Sequence, residues 1–494
     1  MKPEAAISGL GGCWLVGGAV RDAEMGRVSP DIDIAVPAGR ARKAAQSLAK
    51  SLCGSCFPLD EETGVYRVAG RKPYPLQIDV SDFQGADIEA DLRRRDFTIN
   101  AAAYPARAPF SLAPAEGGIR ITGLDPAAVL DPLGARADIK KRLVNATGPD
   151  ILKDDPLRLL RAFRAAAELD FSIAPKTVAM IKREHKLVSR SAGERIRDEL
   201  LRLLAAKGAK KRLEQMDKAG LLAAVFPELE AQRKCAVVYY GKGGVLRHTL
   251  AVVDRAEYLL ENAGAVFPEF RLPADAALLK LTALLHDIAK PATAKMIGGR
   301  LRFFLHEEKG ARIAEEVLRR LKFSNAHTRL VCAAISGHLR PGHLASNAEI
   351  TDRAVYRFFR DSGEAALTLL MLCWADYAAY LSYPALEKLL PQSSQTPPPL
   401  ARKMPRTGPR KTLRHLQLVY HMLRLYFTQP QKIAPQKIID GNTVMKTLGI
   451  GPGRAVGRAL EELSLAQVDG KVKTIKDALE FIKKLNPAEL LPPV

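Results

Sequence analysis

Apolar positions along the first hundred residues fall in short blocks or alternate with polar ones; farther on they recur every three or four. Trp14-Leu15-Val16 reads as a strand that enters a turn at Gly17-Gly18, followed by a helix beginning near Val20. Asp31-Ile32-Asp33-Ile34-Ala35-Val36 alternates polar and apolar, the period of a half-buried strand, and Leu76 to Val80 predicts another. Residues 1–105 are thus α/β in character. From about residue 135 the period becomes helical: Leu157, Leu160, Phe163 and Ala167 are spaced for one face, with arginines between them. Residues 190–230 continue as amphipathic helices. A glycine-rich break at Gly241-Lys242-Gly243-Gly244 precedes a second helical unit that runs to about residue 385. Residues 391–411 read as a linker, with Pro397-Pro398-Pro399 followed by Arg402, Lys403, Arg406, Arg410 and Lys411. No regular internal repeat is present.

Length and charge narrow the possibilities. A chain of 494 residues accommodates three or four domains, and 47% hydrophobic residues suffice for sizeable cores. Lysine and arginine total 75 against 54 acids, a net charge of +21 with pI near 9.7. The last 104 residues hold 17 basic and 7 acidic side chains, a local net of +10. Such an excess predicts a polyanionic partner, nucleic acid or an anionic membrane surface. No apolar stretch reaches the ~18–20 residues needed to span a bilayer, and the opening Met1-Lys2-Pro3-Glu4 has no signal-peptide pattern. Six cysteines do not make a disulfide framework, which fits a reducing cytoplasm, and the lone pair Cys53 and Cys56 reads as ordinary thiols. Nucleic acid in the cytoplasm is the expectation.

The acidic strand carries the first chemistry. Residues i and i+2 of a strand point to one face, so Asp31 and Asp33 aim their carboxylates in parallel while Ile32 and Ile34 face the core. Two carboxylates so placed suit Mg²⁺, a hard ion that accepts phosphate oxygens as well. Two such ions activate a 3′-hydroxyl and stabilise departing pyrophosphate. Asp79, on the neighbouring predicted strand, is the candidate third carboxylate. Gly17 and Gly18 permit a turn whose amides face a triphosphate, with Arg21 close behind. Farther on, Asp155 and Arg158 are three apart and are expected on one helix face, offering acceptors and donors to the edge of a cytosine or adenine. Arg161 and Arg164 extend that face toward a triphosphate.

Taken together, Leu15-Val16-Gly17-Gly18-Ala19-Val20-Arg21-Asp22 followed by Asp31-Ile32-Asp33 resembles the signature of the polymerase-beta-like nucleotidyltransferases. More narrowly it resembles the class II branch of CCA-adding enzymes and bacterial poly(A) polymerases. Arg94-Arg95-Asp96-Phe97-Thr98-Ile99-Asn100-Ala101 is similar to that branch's ribose-contacting motif, and Asp154 through Arg164 to its nucleotide-selecting motif. The resemblance implies that Gly18, Arg21 and Arg95 contact the nucleotide, that Asp96 and Asn100 position its ribose, and that Asp155 with Arg158 selects the base. Two departures stand out. Asp154 replaces the usual Glu, and the stretch from Ser81 to Arg93 is shorter than the flexible loop of full CCA-adding members, as in CC-adding relatives.

A second constellation lies in the later helical unit. His248, His286-Asp287, His306, His338 and Asp376 offer imidazoles and carboxylates, a set suited to Mn, Fe, Ni, Zn or Mg and to activating water against a phosphoester. Their order resembles the HD phosphohydrolase superfamily. That resemblance maps four metal ligands to His248, His286, Asp287 and Asp376, leaves His306 and His338 for a second metal, and places Ala289 where a glycine is common. In the tail, Gly451-Pro452-Gly453 before Arg454 and Arg458 resembles the C-terminal tRNA-binding region of class II enzymes.

The expected protein is α+β and multidomain. A polymerase-beta-like α/β nucleotidyltransferase head (1–130) precedes an all-α neck and body (131–235), an all-α HD domain (236–390), a linker (391–411) and a helical basic tail (412–494). Its expected partners are the tRNA 3′ end, CTP and ATP, with Mg²⁺ at the head, a transition metal or Mg²⁺ at the HD site, and no membrane. The alternatives are a CC-adding specialist, a poly(A) polymerase, and an HD phosphohydrolase with a non-catalytic RNA-binding head.

Overall fold

The computed structural model describes residues 2–60, 64–71, 76–273, 275–399, 408–487 and 490. The chain divides into two compact units, Met1–Lys207 with Arg212–Val225, and Gly208–Lys211 with Phe226–Val494. Both α and β structure are present, and no helix is long and apolar enough to cross a membrane among the described residues.

The first unit is built on a six-stranded mixed sheet. In spatial order its strands are Ser55–Asp60, Val65–Ala69, Gln77–Asp82, Ile32–Val36, Trp14–Val16 and Ala103–Pro105. Only Ile32–Val36 and Gln77–Asp82 run parallel, and their register sets Asp33 opposite Asp79. Ile32, Ile34, Ile78 and Val80 are fully buried with Leu15 and Leu48, so the alternation seen in the sequence is the core side of this sheet. The helix after the glycine turn spans Gly18–Glu24, slightly earlier than its apolar pattern suggested. A three-stranded sheet of Val28–Ser29, Gly118–Thr122 and Ser111–Ala115 lies outside the elements expected from the sequence.

Beyond the sheet the first unit is mainly helical. Helix Arg158–Leu169 buries Leu159, Leu160, Phe163 and Ala166, and packs on helix Gly193–Ala205 through Ile196, Leu200 and Leu203.

The second unit is nearly all helix. Helix Gly244–Glu261 begins at the glycine break because Gly244 has φ +55°, and a Cβ there would lie 2.3 Å from the Cys235 carbonyl oxygen. It packs against helices Ala276–Leu285 and Ala366–Ala378, whose apolar residues surround the metal-ligand candidates. The linker is shorter than the sequence suggested. Helix Tyr383–Ser393 runs into its first residues and helix Pro409–Thr428 begins before its end; Arg402, Lys403 and Arg406 lie outside the described residues. Helix Pro409–Thr428 is not a free basic arm either. It buries Leu416, Val419, Tyr420 and Leu423 and packs on helix Ala366–Ala378, because its apolar stripe outweighs the few cations it carries. The basic three-helix tail follows: Gly441–Leu448, Arg454–Val468 and Ile475–Lys483 enclose Val444, Ala459, Leu463, Ala478 and Ile482.

Candidate active sites

In the first unit, the turn after Trp14–Val16 brings backbone against carboxylate. Gly17 has φ +65°, and a Cβ there would stand 2.7 Å from Asp33 Oδ2 and 3.0 Å from Arg95 Nη1. Glycine is required on both counts. The Gly18 amide donates to Asp33, and Arg95 is anchored by Asp91, whose Oδ2 accepts from its Nε and Nη2 at 3.0 and 2.9 Å. Burial, and after it the charge of Asp31, pushes the Asp33 carboxyl up to about 6. Asp31 is raised as well, by burial and by Asp79. Two crowded, partly desolvated carboxylates are an electrostatic cost that a cation relieves.

The third carboxylate is held differently. Arg67 grips Asp79 with both arms, Nε to Oδ1 at 2.7 Å and Nη2 to Oδ2 at 2.6 Å, and lies 3.9 Å from Asp31. Asp31, Asp33 and Asp79 therefore do not converge as tightly as the ligand groups of the second unit described below.

The nucleotide-contact candidates form a chain of contacts. Arg21 donates to Asp22 through Nε at 3.0 Å and to Asn100 Oδ1 at 2.6 Å, and Asn100 donates to Asp96 at 3.0 Å. Arg161 lies 4.0 Å from Asp96 and reaches Glu199 at 3.1 Å, which also meets Arg164 at 3.0 Å. Residues from four separate stretches of sequence thus share one polar network.

One expectation needs correction. Asp155 does not share a helix face with Arg158. The helix starts at Arg158, and Asp155 is extended at φ −135°, ψ 101°. The reason is Pro156, whose ring disfavours the α region for the preceding residue. Asp155 instead accepts from the Leu157 amide at 3.1 Å and from Arg195 Nη2 at 3.1 Å. Arg158 donates to the carbonyls of Ile151 and Arg94, each at 3.1 Å. Arg161 and Arg164 do share the helix, and both turn toward Glu199.

In the second unit six side chains gather from three helices and from the turns that end two others. Asp287 is at the centre. His286 Nε2 lies 3.1 Å and His248 Nε2 3.6 Å from its Oδ2, while His306 Nε2 lies 3.5 Å and His338 Nε2 3.9 Å from its Oδ1. Asp376 meets His248 Nε2 at 3.0 Å. The ligand atoms form two trios, His248–His286–Asp287 and Asp287–His306–His338, each within 4.8 Å. His286, His306 and His338 donate their Nδ1–H to the carbonyls of Ala283, Phe303 and Ile335 at 2.7, 2.6 and 2.6 Å, which turns every Nε2 inward.

The donors fit a metal. His306 Nε2 and Asp287 Oδ1 are buried and lack a hydrogen-bond partner, while His248 Nε2, His286 Nε2, Asp287 Oδ2 and Asp376 Oδ1 meet only one another and Lys290. Burial lowers His248, and burial with the nearby His286 pushes His338 down to about 4. At His286 burial works the same way but is outweighed by Asp287, which raises it. Asp287 stays far below the carboxylate range despite burial, held there by His286 and Lys290. Neutral imidazole and ionised carboxylate are the forms that bind metal, so His248, His338 and Asp287 are ready for it, and His286 releases a proton on binding.

Comparison with known proteins follows the same division. Residues 13–145 match the family described as Poly A polymerase head domain, 170–233 that described as Probable RNA and SrmB- binding site of polymerase A, and 245–379 the HD domain. The chain is 31% identical over 475 residues to the CC-adding tRNA nucleotidyltransferase of Geobacter sulfurreducens, covering 96% of this chain and 92% of that one. The chain belongs to the tRNA nucleotidyltransferase family. It is also 31% identical over 480 residues to the A-adding tRNA nucleotidyltransferase of Deinococcus radiodurans, covering 96% of this chain and 95% of the other. The fold matches that of the Thermotoga maritima CCA-adding enzyme complexed with tRNA, at TM-score 0.58 and 21% identity, over 96% of this chain and 93% of that one.

Several polar residues of this nucleotidyltransferase escaped the sequence reading. Arg67, Glu199 and Lys290 each hold a candidate residue, Lys290 by a 2.6 Å contact to Asp287. Glu199 had a legible signal: it sits at helical spacing among Ile196, Leu200 and Leu203, an acid on an apolar stripe. Arg67 had none, since its meaning depends on cross-strand register.

Two stability results are expected. Asp33 is raised, so its contribution to folding is present below the ordinary carboxyl value of 3.8 and lost as pH rises through about 6. Asp33→Asn therefore melts above wild type at pH 7.5 in metal-free buffer, with the gap narrowing at pH 5; scanning fluorimetry reads both, and a pH-independent gap contradicts the account. Removing Glu199 leaves Arg161 and Arg164 facing each other. Glu199→Ala is expected to cost about 3 kcal/mol, measured as a lower thermal midpoint, and an unchanged midpoint would show the network to be solvent-screened.

Proposed function

We propose that the protein extends the 3′ end of tRNA with C and A residues from CTP and ATP, without a nucleic-acid template, in the cytoplasm. The observation that carries the reading is the Asp31–Asp33 pair beside the Gly17-Gly18 turn, in a chain akin to CC-adding and A-adding enzymes along nearly its whole length.

We assign transfer to the head at 1–130, base selection and RNA binding to 131–235, the HD domain to 236–390, and tRNA contact to the basic tail at 412–494 beyond the linker at 391–411. Asp31 and Asp33 would hold Mg²⁺, with Asp79, now paired with Arg67, as the third carboxylate. When bound, Mg²⁺ supplies activation of the 3′-hydroxyl and charge stabilisation for the leaving pyrophosphate. The Gly17-Gly18 turn, Arg21 and Arg95 receive the phosphates, and Asp96 with Asn100 seats the ribose. Asp155 and Arg158 address the base, with Arg195 holding Asp155 in place. Arg161 and Arg164 set the positive field around the triphosphate, balanced by Glu199. Catalysis is chiefly alignment and electrostatics.

His248, His286, Asp287 and Asp376 would hold a divalent metal in the HD domain, with His306 and His338 for a second. A bound ion there supplies an activated water against a phosphoester, suited to a phosphorylated or 2′,3′-cyclic tRNA end. Lys290 neutralises Asp287 and donates to Tyr240 at 3.0 Å.

A second reading, a CC-adding specialist, is favoured by one feature. Only Phe83 to Asp87 separate the strand Gln77–Asp82 from the helix Ile88–Arg93. So short a link leaves little room for a loop that moves between nucleotides.

Base selection tests the main reading. Each of the four nucleoside triphosphates is offered singly with tRNA lacking its CCA end, and with tRNA ending in CC. CTP is expected to extend the first and ATP the second, with GTP and UTP idle; equal use of all four would sink it.

A further inference from the structure

Beside the histidine–aspartate cluster stands a two-stranded hairpin, Ala294–Ile297 and Arg300–Phe303, turned by Gly298 and Gly299 at φ +55° and +69°. Its register sets Lys295 opposite Arg302 and Ile297 opposite Arg300. Cross-strand partners share a face, and so do residues two apart. Lys295, Ile297, Arg300 and Arg302 therefore lie on one face, and all four are exposed. Residues 294–303 hold three cations and no acid. None of the three makes an ion pair among the described residues. Like charges directly opposite one another destabilise a strand pair, so this face carries a cost that a bound polyanion removes.

The surroundings point to a nucleic acid rather than a simple anion. A groove of about 770 Å³ is lined by Lys295 and Ile297 of that face together with Phe304, Leu305, Lys309 and Arg312; Glu308 and Glu316 also line it. Phe304 is 64% exposed and Tyr239, whose hydroxyl accepts from the Leu301 amide at 3.3 Å, is 55% exposed. Cations tracking a backbone beside open aromatic faces are the elements of single-strand binding. The hairpin is also tied to the metal-ligand candidates, because the Phe303 carbonyl accepts from His306 Nδ1 at 2.6 Å.

We propose that this hairpin and its groove dock a single-stranded RNA end and present its terminal phosphate to the histidine–aspartate cluster. The proposal rests on the phosphohydrolase reading of the HD domain and adds its recognition surface: phosphates lie along Lys295, Arg300 and Arg302, and terminal bases stack on Phe304 and Tyr239.

The test uses the full-length protein and the combined variant Lys295→Gln, Arg300→Gln, Arg302→Gln. Hydrolysis of a short single-stranded RNA bearing a 3′-phosphate is compared with that of p-nitrophenyl phosphate at several salt concentrations. The ratio of the two kcat/KM values is expected to fall about tenfold, mainly through KM, and the salt slope of log KM to flatten by about 2. An unchanged ratio overturns the docking surface while leaving the phosphohydrolase reading intact. If wild type hydrolyses neither compound, that reading fails, and photocrosslinking of the same RNA carrying 4-thiouridine decides docking separately. Crosslinks at Phe304 or Tyr239 that vanish in the variant sustain it, and their absence overturns it. A variant that instead turns a sedimenting dimer into monomer, with RNA turnover unaltered, assigns the face to self-association and also overturns the proposal.

Discussion

Asp31→Ala is expected to lower kcat/KM for C addition to tRNA by about three orders of magnitude, ~4 kcal/mol of transition-state stabilisation. The cause is local. Asp31 and Asp33 crowd together, and removing either takes away part of the negative charge that would gather Mg²⁺ beside the Gly17 turn. Folding is not the casualty, because burial and neighbouring carboxylates already raise both carboxyls above their ordinary value. The substitution removes a repulsion, so the thermal midpoint should hold or rise while addition disappears. Hydrolysis at the HD site should be untouched. Radiolabelled CTP incorporation reads the first effect and scanning fluorimetry the second. Undiminished incorporation would strip the head of its catalytic assignment, leaving an RNA-binding module.

His286→Ala is expected to remove metal-dependent phosphohydrolysis, by at least ~100-fold, since even partners behind a ligand cost 10–100-fold in metal affinity. His286 presents its Nε2 because Nδ1 is committed to the Ala283 carbonyl, and it stands 3.1 Å from the aspartate shared by both trios. His306→Ala should act more selectively, thinning only the second trio. Metal content by atomic emission after dialysis against Mn²⁺ provides a readout independent of turnover. Wild type is expected to retain metal and His286→Ala to lose it, with CTP incorporation intact in both. Full metal retention by His286→Ala would mean that the ligand set is misassigned.

Much of both sites was legible because their chemistry follows local periodicity. The period-two alternation put Asp31 and Asp33 on one face; strand Ile32–Val36 carries Asp33 with Ile32 and Ile34 in the core, and Asp31 stands one residue before it. Each histidine of the second cluster stands near a helix end or early in a helix, while the sequence showed only their order within one helical unit. What escaped depends on contacts distant in sequence. Arg67 meets Asp79 only because Val65–Ala69 pairs with Gln77–Asp82. Glu199 gathers Arg161 and Arg164 only because two helices pack. Asp155 is displaced from the helix for a local reason, because Pro156 overrides the helical spacing of its neighbours. The burial of helix Pro409–Thr428 rests on Leu416, Val419 and Leu423, an apolar stripe interleaved with cations that hide its period.

The most direct test of the central claim is to sequence the 3′ ends of tRNA lacking CCA after incubation with the intact protein, Mg²⁺, CTP and ATP together. The account predicts ends completed as CCA, with addition stopping there. Ends arrested at CC would establish the specialist instead, whereas unextended tRNA, or A-tracts of variable length, would contradict the account.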